Sequence, residues 1–139
     1  MNILNLTQHE GSVEQLAQGL MEPENKSYVK ELLTLNNVPN ERTLEEVCKA
    51  RAFLLVEIME KAHEENRITN FLIGGHPLLV QTVIRINKGR FYLLGAHSDR
   101  VSIEDKDGNK VSKFQHQFFY SLQDGNDNVD YMELSTVIL

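Results

Sequence analysis

Only one cysteine, Cys48, occurs among 139 residues, so this chain can form neither an internal disulfide nor a CxxC metal site. A lone thiol agrees with a reducing compartment. No apolar run approaches the roughly 20 residues that cross a bilayer. The first ten residues lack a basic segment ahead of a long apolar core, which predicts no secretory signal and a cytoplasmic location. Positive charge is scarce as well: 14 lysines and arginines stand against 20 aspartates and glutamates, for a formal net charge of −6. Such a chain lacks the basic field that dominates general nucleic-acid binding, so neither DNA nor a membrane is an expected partner. There is no P-loop, no GxGxxG fingerprint and no HExxH pair, so ATP, NAD and a resident metal are not indicated. A small anion remains possible, because backbone N–H groups and one or two local arginines can hold it.

What is present reads as one ordinary globular domain. The apolar fraction is 41% and the charged fraction 24%, and the length suits a single core. Asn2 to Leu6 predicts a first strand. Ser12 is an N-cap with Gln15 as its capping-box partner, opening a short helix from Val13 to Leu20. Met21 to Lys26 reads as a connection. Tyr28 to Leu35 suits either a helical turn or, at Leu33-Thr34-Leu35, a second short strand. A long helix follows from about Glu41 to Glu65, with Leu44, Cys48, Leu55, Ile58 and Met59 on one face. Arg51 shares that face and reads as snorkelling to water, or as reaching an interface or the ligand cleft. His63 lies at the helix's polar end and is expected to be solvated. Thr69 to Ile73 is a strand that stops at Gly74-Gly75, and Pro77 then starts a helix that Gly89 ends. Arg90 to Ala96 is a strand closed by His97-Ser98-Asp99-Arg100. Val101–Glu104 and Lys110–Leu122 form a hairpin around Asp107-Gly108-Asn109.

This order implies a three-layer α/β domain over residues 1–122, with early parallel strands and a C-terminal antiparallel hairpin. Residues 123–139 form a C-terminal extension, with a turn at Asp124-Gly125-Asn126-Asp127 and an apolar end from Tyr131 to Leu139, expected to pack on the domain or on a second subunit. In open α/β sheets ligands collect beyond the carboxyl ends of the strands. Thr7-Gln8-His9, Gly74-Gly75-His76 and His97-Ser98-Asp99-Arg100 each follow a strand, so all three clusters are expected at one end of the sheet. Gly74-Gly75 reads either as an anion cradle at a helix N-terminus or as a plain tight turn. His9 and His76 are the candidates for acid–base work, or are simply loop histidines. Arg100 offers a bidentate phosphate contact or an ion pair with Asp99 or Glu104, and Ser98 offers a hydroxyl. Alternation places Phe114, His116 and Phe118 on one face, where His116 reads as half-buried and hydrogen-bonded.

Ile3-Leu4-Asn5-Leu6-Thr7-Gln8-His9 with Ser12-Val13-Glu14-Gln15 resembles a family of small phage and prophage proteins. The resemblance continues at Glu31-Leu32-Leu33-Thr34 with Pro39, at Ile73-Gly74-Gly75 with Pro77, at Ser98, Arg100 and Ser102, and at Phe114 with His116. That family is similar in turn to CRISPR-accessory proteins related to CARF domains. The resemblance implies a Rossmann-like fold, a homodimer or higher homo-oligomer, and a host bacterial cytoplasm. It further implies a site for a cyclic oligonucleotide or ADP-ribose-type signal built from Thr7, Gln8, His9, Gly74, Gly75, Ser98 and Arg100. The implied role is an anti-defence sponge, with a metal-independent ring nuclease as the alternative. His76 after the glycines and Asp99 before Arg100 depart from the family pattern, and Asp99 sets a negative charge where a phosphate binder needs a positive one.

Overall fold

The protein is described by a computed structural model over residues 2–122, so the expected packing of residues 123–139 lies outside the described residues. The elements run β1 (Ile3–Leu6), α1 (Val13–Ala17), β2 (Leu20–Met21), α2 (Lys26–Leu33), α3 (Glu41–Asn66), β3 (Asn70–Ile73), α4 (Pro77–Asn87), β4 (Tyr92–Glu104) and β5 (Lys110–Ser121). One five-stranded sheet has the order β2-β1-β3-β4-β5. Its first three pairings are parallel and β4–β5 is antiparallel. The expected α/β architecture, mostly parallel with a late hairpin, is present.

Local chemistry explains most boundaries. The Ser12 hydroxyl accepts from Gln15 N at 3.1 Å while Ser12 N donates to the Gln15 amide oxygen at 2.9 Å, a closed capping box. The Asn40 side chain accepts from Thr43 N and caps α3. Pro77 occupies the first turn of α4, and Lys88 and Gly89 end that helix at positive φ.

Three expectations are corrected. The helix expected over Val13 to Leu20 ends at Ala17, and Leu20–Met21 is the second strand; the choice left open at Tyr28 to Leu35 resolves to helix, with Tyr28 to Leu33 in α2. β4 does not close at His97–Arg100 but runs 13 residues to Glu104. A polar tetrad ends a strand only where the strand needs an apolar neighbour, and here the upper part of β4 pairs with β5 in solvent. Third, a register shift lies at His97/Ser98, with His97 opposite Phe118 and Ser98 opposite His116. The extra residue breaks the alternation, so His116 shares its buried face with Phe119 and Phe118 falls on the other.

The core lies mainly on one face of the sheet. Leu4, Leu6, Phe71, Ile73 and Leu93 point into a cluster with Val29, Leu32 and Leu33 of α2, Cys48, Leu55, Val56 and Met59 of α3, and Leu79 and Val83 of α4. On the opposite face Ile3, Leu20, Leu72, Leu94 and Phe119 form a smaller cluster. Of the described helices, α1 reaches that side, where His116 donates from Nε2 to Gln18 Oε1 at 2.9 Å and meets the Gln15 amide at Nδ1. The expected hydrogen bonding of His116 is present, and the residue is buried rather than half-buried. Burial holds the His116 imidazole below its ordinary pKa, against a smaller upward pull from the Glu14 charge.

Arg51 follows neither of its expected readings. Its guanidinium donates from Nη1 to the carbonyls of Glu31, Leu32 and Thr34. Those carbonyls lie in and just past the last turn of α2, where helical acceptors run out of N–H partners. One cation from α3 thus caps α2 and joins the two helices. His63 is also tied down rather than solvated: Nδ1 donates to Ile68 O at 3.2 Å and the ring packs 5.5 Å from Phe91.

Candidate functional site

A cleft of about 440 Å³ opens at the carboxyl ends of β1, β3 and the inner part of β4. Thr7, Gln8, His9 and Glu10 form one wall, and Ile73, Gly74 and Gly75 form the second. Gly95, Ala96 and Tyr120 form the third, with Gln15, Leu72, Val80 and Leu122 closing the floor and sides. The cleft sits between β1 and β3, where the chain order along the sheet reverses. That is the place where open parallel sheets hold ligands.

The loop after β1 is held from behind by a polar cluster. Asn5 is 1% exposed in the middle of a buried strand. Its Oδ1 accepts from Thr7 N and from the Thr7 hydroxyl, and its Nδ2 donates to His9 O at 2.8 Å and to Glu22 at 2.9 Å. Glu22 also accepts from Gly11 N at 2.8 Å. Lys26 donates to Thr7 O at 2.8 Å and His9 O at 3.1 Å, and pairs with Glu22 at 3.1 Å. Burial alone would raise the Glu22 carboxyl. The Gly11 N–H, the Asn5 amide and Lys26 outweigh it and hold the pKa below the ordinary value. The cluster fixes Thr7–His9 as a rigid lip while leaving the side chains of Gln8 and His9 exposed. Lys26 spends its charge on this lip rather than on the cleft.

The second wall depends on backbone. Gly75 has φ +122°, a conformation that L side chains avoid. A Cβ on Gly74 would meet the Thr7 methyl at 3.4 Å, so the two lips approach closely there. Gly95 serves the third wall, where an added Cβ would lie 2.6 Å from the Tyr120 ring. The missing side chain lets that ring lie across β4 at the cleft wall.

Of the residues expected to form the site, Thr7, Gln8, His9, Gly74 and Gly75 come together in one cleft. His76, Ser98 and Arg100 do not line it. His76 is the N-cap of α4, and its Nδ1 accepts from Leu78 N at 3.1 Å. Ser98 and Arg100 stand on the outer part of β4, beyond Ala96. Arg100 is four residues further along the strand, about 13 Å at the usual rise, and its guanidinium lies 5.6 Å from the Phe114 ring. Asp99 pairs with His97 at 3.1 Å rather than with Arg100. The lining residues include Glu10 and neither lysine nor arginine, so a bound anion here would rely on backbone N–H groups and amides. Sequence reasoning missed Glu10, Gln15, Gly95, Tyr120 and Leu122. The one usable signal was a glycine inside the apolar run Phe91-Tyr92-Leu93-Leu94-Gly95, which marks a close approach in a strand.

Among the described residues, no group of three or more His, Cys, Asp or Glu side chains is placed to hold a metal ion. No described helix is long and apolar enough to cross a membrane. Comparison with known proteins returned no matching family model, curated protein or solved structure.

Proposed function

We propose that this cleft binds a small nucleotide and holds it without cleaving it. The carrying observation is the convergence, at the β1/β3 reversal, of the Thr7–His9 lip and the Gly74-Gly75 turn that leads into α4, with Val80 of that helix beside them and Tyr120 on the facing wall. A base stacks on the Tyr120 ring, a contact that tolerates any base. The Gln8 amide, which donates from Nε2 to the Thr34 hydroxyl at 3.3 Å, offers its Oε1 and second N–H to the base edge, whereas both ends of the Gln15 amide are taken by Ser12 N and His116 Nδ1. A phosphate or ribose hydroxyl sits at the glycine turn, where backbone can approach and the helix dipole favours negative charge. The doubly wound, Rossmann-like arrangement belongs to this reading, since the sheet order and the cleft position suit it. So does the anti-defence role, sequestering a cyclic oligonucleotide or an ADP-ribose-type immune signal, which rests on the resemblance of the Thr7-Gln8-His9 segment.

Holding is favoured over cutting by the state of the two histidines. The His76 Nδ1 is occupied as a helix cap. The His9 ring has no hydrogen-bonded partner among the described residues that would orient it as a base. The test is calorimetry with cyclic di-, tri- and tetranucleotides and ADP-ribose, followed by heat denaturation and recovery of the ligand. Intact ligand is expected. Linear products formed over many turnovers would convert the site into a ring nuclease, and no binding by any member would remove the nucleotide reading. Tyr120→Ala should weaken binding by about 1–3 kcal/mol if a base stacks there. Arg100→Ala should leave the affinity nearly unchanged.

A further inference from the structure

The outer part of β4 is built unlike its start. Only Tyr92, Leu93 and Leu94 pair with β3. From Gly95 to Glu104 the β3-facing side of β4 has no strand beside it among the described residues. Beyond the register shift, β4 and β5 continue as a two-stranded ribbon from Ser98–His116 to Glu104–Lys110. Ile103, Val111 and Phe114 on it are 43%, 40% and 68% exposed. A lone two-stranded ribbon is marginal in water, and an open edge invites another strand.

We propose that this edge pairs with the same edge of a second copy of this chain, antiparallel, about a two-fold axis through Ser102. Charge and alternation select both the edge and the register. A two-fold perpendicular to the sheet keeps each face on its own side, so only residues of like parity can stand opposite one another. Centring on Arg100 opposes two arginines. Centring on Val101 sets Asp99 against the partner's Ile103. Centring on Ser102 sets Arg100 against the partner's Glu104, twice, and Val101 against the partner's Ile103, twice. Val111 stands beside Ile103 within each ribbon, so Val101, Ile103 and Val111 of both copies then form one apolar patch on a four-stranded sheet. Opposite charges and β-branched pairs are what stabilise such rungs. The outer edge of β5 does not offer this: Lys110 and Lys113 stand on it with no acidic residue in the strand. Edge lysines of that kind protect against pairing. The inference does not depend on what the cleft binds.

Sedimentation of the full-length chain from micromolar to near-millimolar concentration should show a reversible monomer–dimer equilibrium. R100E and E104R should each weaken it by about tenfold or more, because each change occurs twice across the axis and turns attraction into repulsion. The swap R100E/E104R should restore it. Directly opposed residues in antiparallel strands lie about 4.5–5.5 Å apart at Cα, inside the range a disulfide spans. Mild oxidation should therefore link S102C to itself across the dimer, whereas S98C stays reduced. Cys48 is fully buried and does not compete. S102C changes no charge and lies on an exposed strand, so it reads the register even if a charge variant disturbs the ribbon. A monomer at every concentration would overturn the proposal. A dimer in which S102C stays reduced, or one that the charge swap fails to recover, would overturn it in favour of another surface.

Discussion

The two ends of β4 belong to one strand and have opposite fates. At its start, Leu93 and Leu94 are fully buried between β3 and β5. Beyond the register shift, Asp99, Arg100, Ser102 and Ile103 belong to the same strand, yet they stand in a ribbon with solvent on both faces. Pairing to β5 runs through both ends, interrupted only by that shift. What differs is whether helices lie over the rungs: they cover those beside β3, and of the outer ribbon α1 reaches only the first rung, at His116. Hydrogen bonding extends a strand, but covering elements decide which part of it is core. The start of β4 carries stability and builds a cleft wall, while its end presents an edge.

The sharpest way to test this division is a pair of matched truncations. Phe71 is fully buried, packs edge-on against Phe91 at 5.3 Å and neighbours Leu93 in register. Phe71→Ala should cost about 3–5 kcal/mol of unfolding free energy. Phe114, on the outer ribbon and 68% exposed, should cost no more than about 0.5 kcal/mol when changed to alanine. Chemical denaturation measures both. Equal costs would mean that the ribbon is as much core as the sheet's centre.

A second large effect is expected between helices. Arg51→Met removes the donor to three carbonyls at the end of α2 while keeping an apolar stem on α3. A loss of about 1.5–3 kcal/mol is expected, the range for hydrogen bonds to a charged group. Hydrogen exchange should rise first in the last turn of α2. No change would return Arg51 to a snorkelling surface residue.

How far the sequence revealed this arrangement differs between the same two regions. Long periodic stretches announced α3 and α4, and glycine with proline marked where β3 ends and α4 begins. The strand-end clusters at Thr7–His9 and Gly74-Gly75 could be placed together because parallel strands end on one side. β2 was hidden because two residues have no period. The continuation of β4 was hidden because His97-Ser98-Asp99-Arg100 looks like a loop when a covered sheet is assumed. The face of Phe118 was misread because one extra residue inverts the alternation, and nothing local marks the shift. The Asn5–Glu22–Lys26 cluster carried a faint sign, an asparagine inside an otherwise apolar strand. Its partners come from β2's end and α2's first turn, so the cluster exists only once the chain has folded.

Acid should separate two of these polar anchors by pH. Burial lowers the folded pKa of His116 below the ordinary 6.5. The unfolded chain then takes up the proton first as pH falls. The contribution of His116 is full above about 6.5 and is lost as pH drops through its lower folded value. Glu22 has a lowered carboxyl pKa, so its contribution is full above the ordinary 4.5 and is lost below it. Urea midpoints against pH should therefore fall in two stages. His116→Gln should flatten the upper stage and Glu22→Gln the lower. A His116 ring titrating above 6.5 by NMR would contradict the first assignment.

The smallest expected change in stability is at Gly95, and it tests the inner end of β4 as a site rather than as core. Alanine there would bring a Cβ to 2.6 Å from the Tyr120 ring. The ring is 37% exposed, so it can swing toward solvent instead of straining the strand. Replacing a strand glycine by alanine recovers about 0.5–1 kcal/mol of backbone entropy, which offsets the displaced contact. Gly95→Ala should thus leave the unfolding midpoint within about 0.5 kcal/mol of the parent protein while moving the Tyr120 ring resonances and weakening nucleotide binding about as much as Tyr120→Ala does. If the midpoint falls by several kcal/mol instead, the Tyr120 ring is locked by packing and Gly95 serves the fold. If the midpoint holds and affinity is unchanged, the ring is not a wall of the site, and the inner end of β4 has no part in binding.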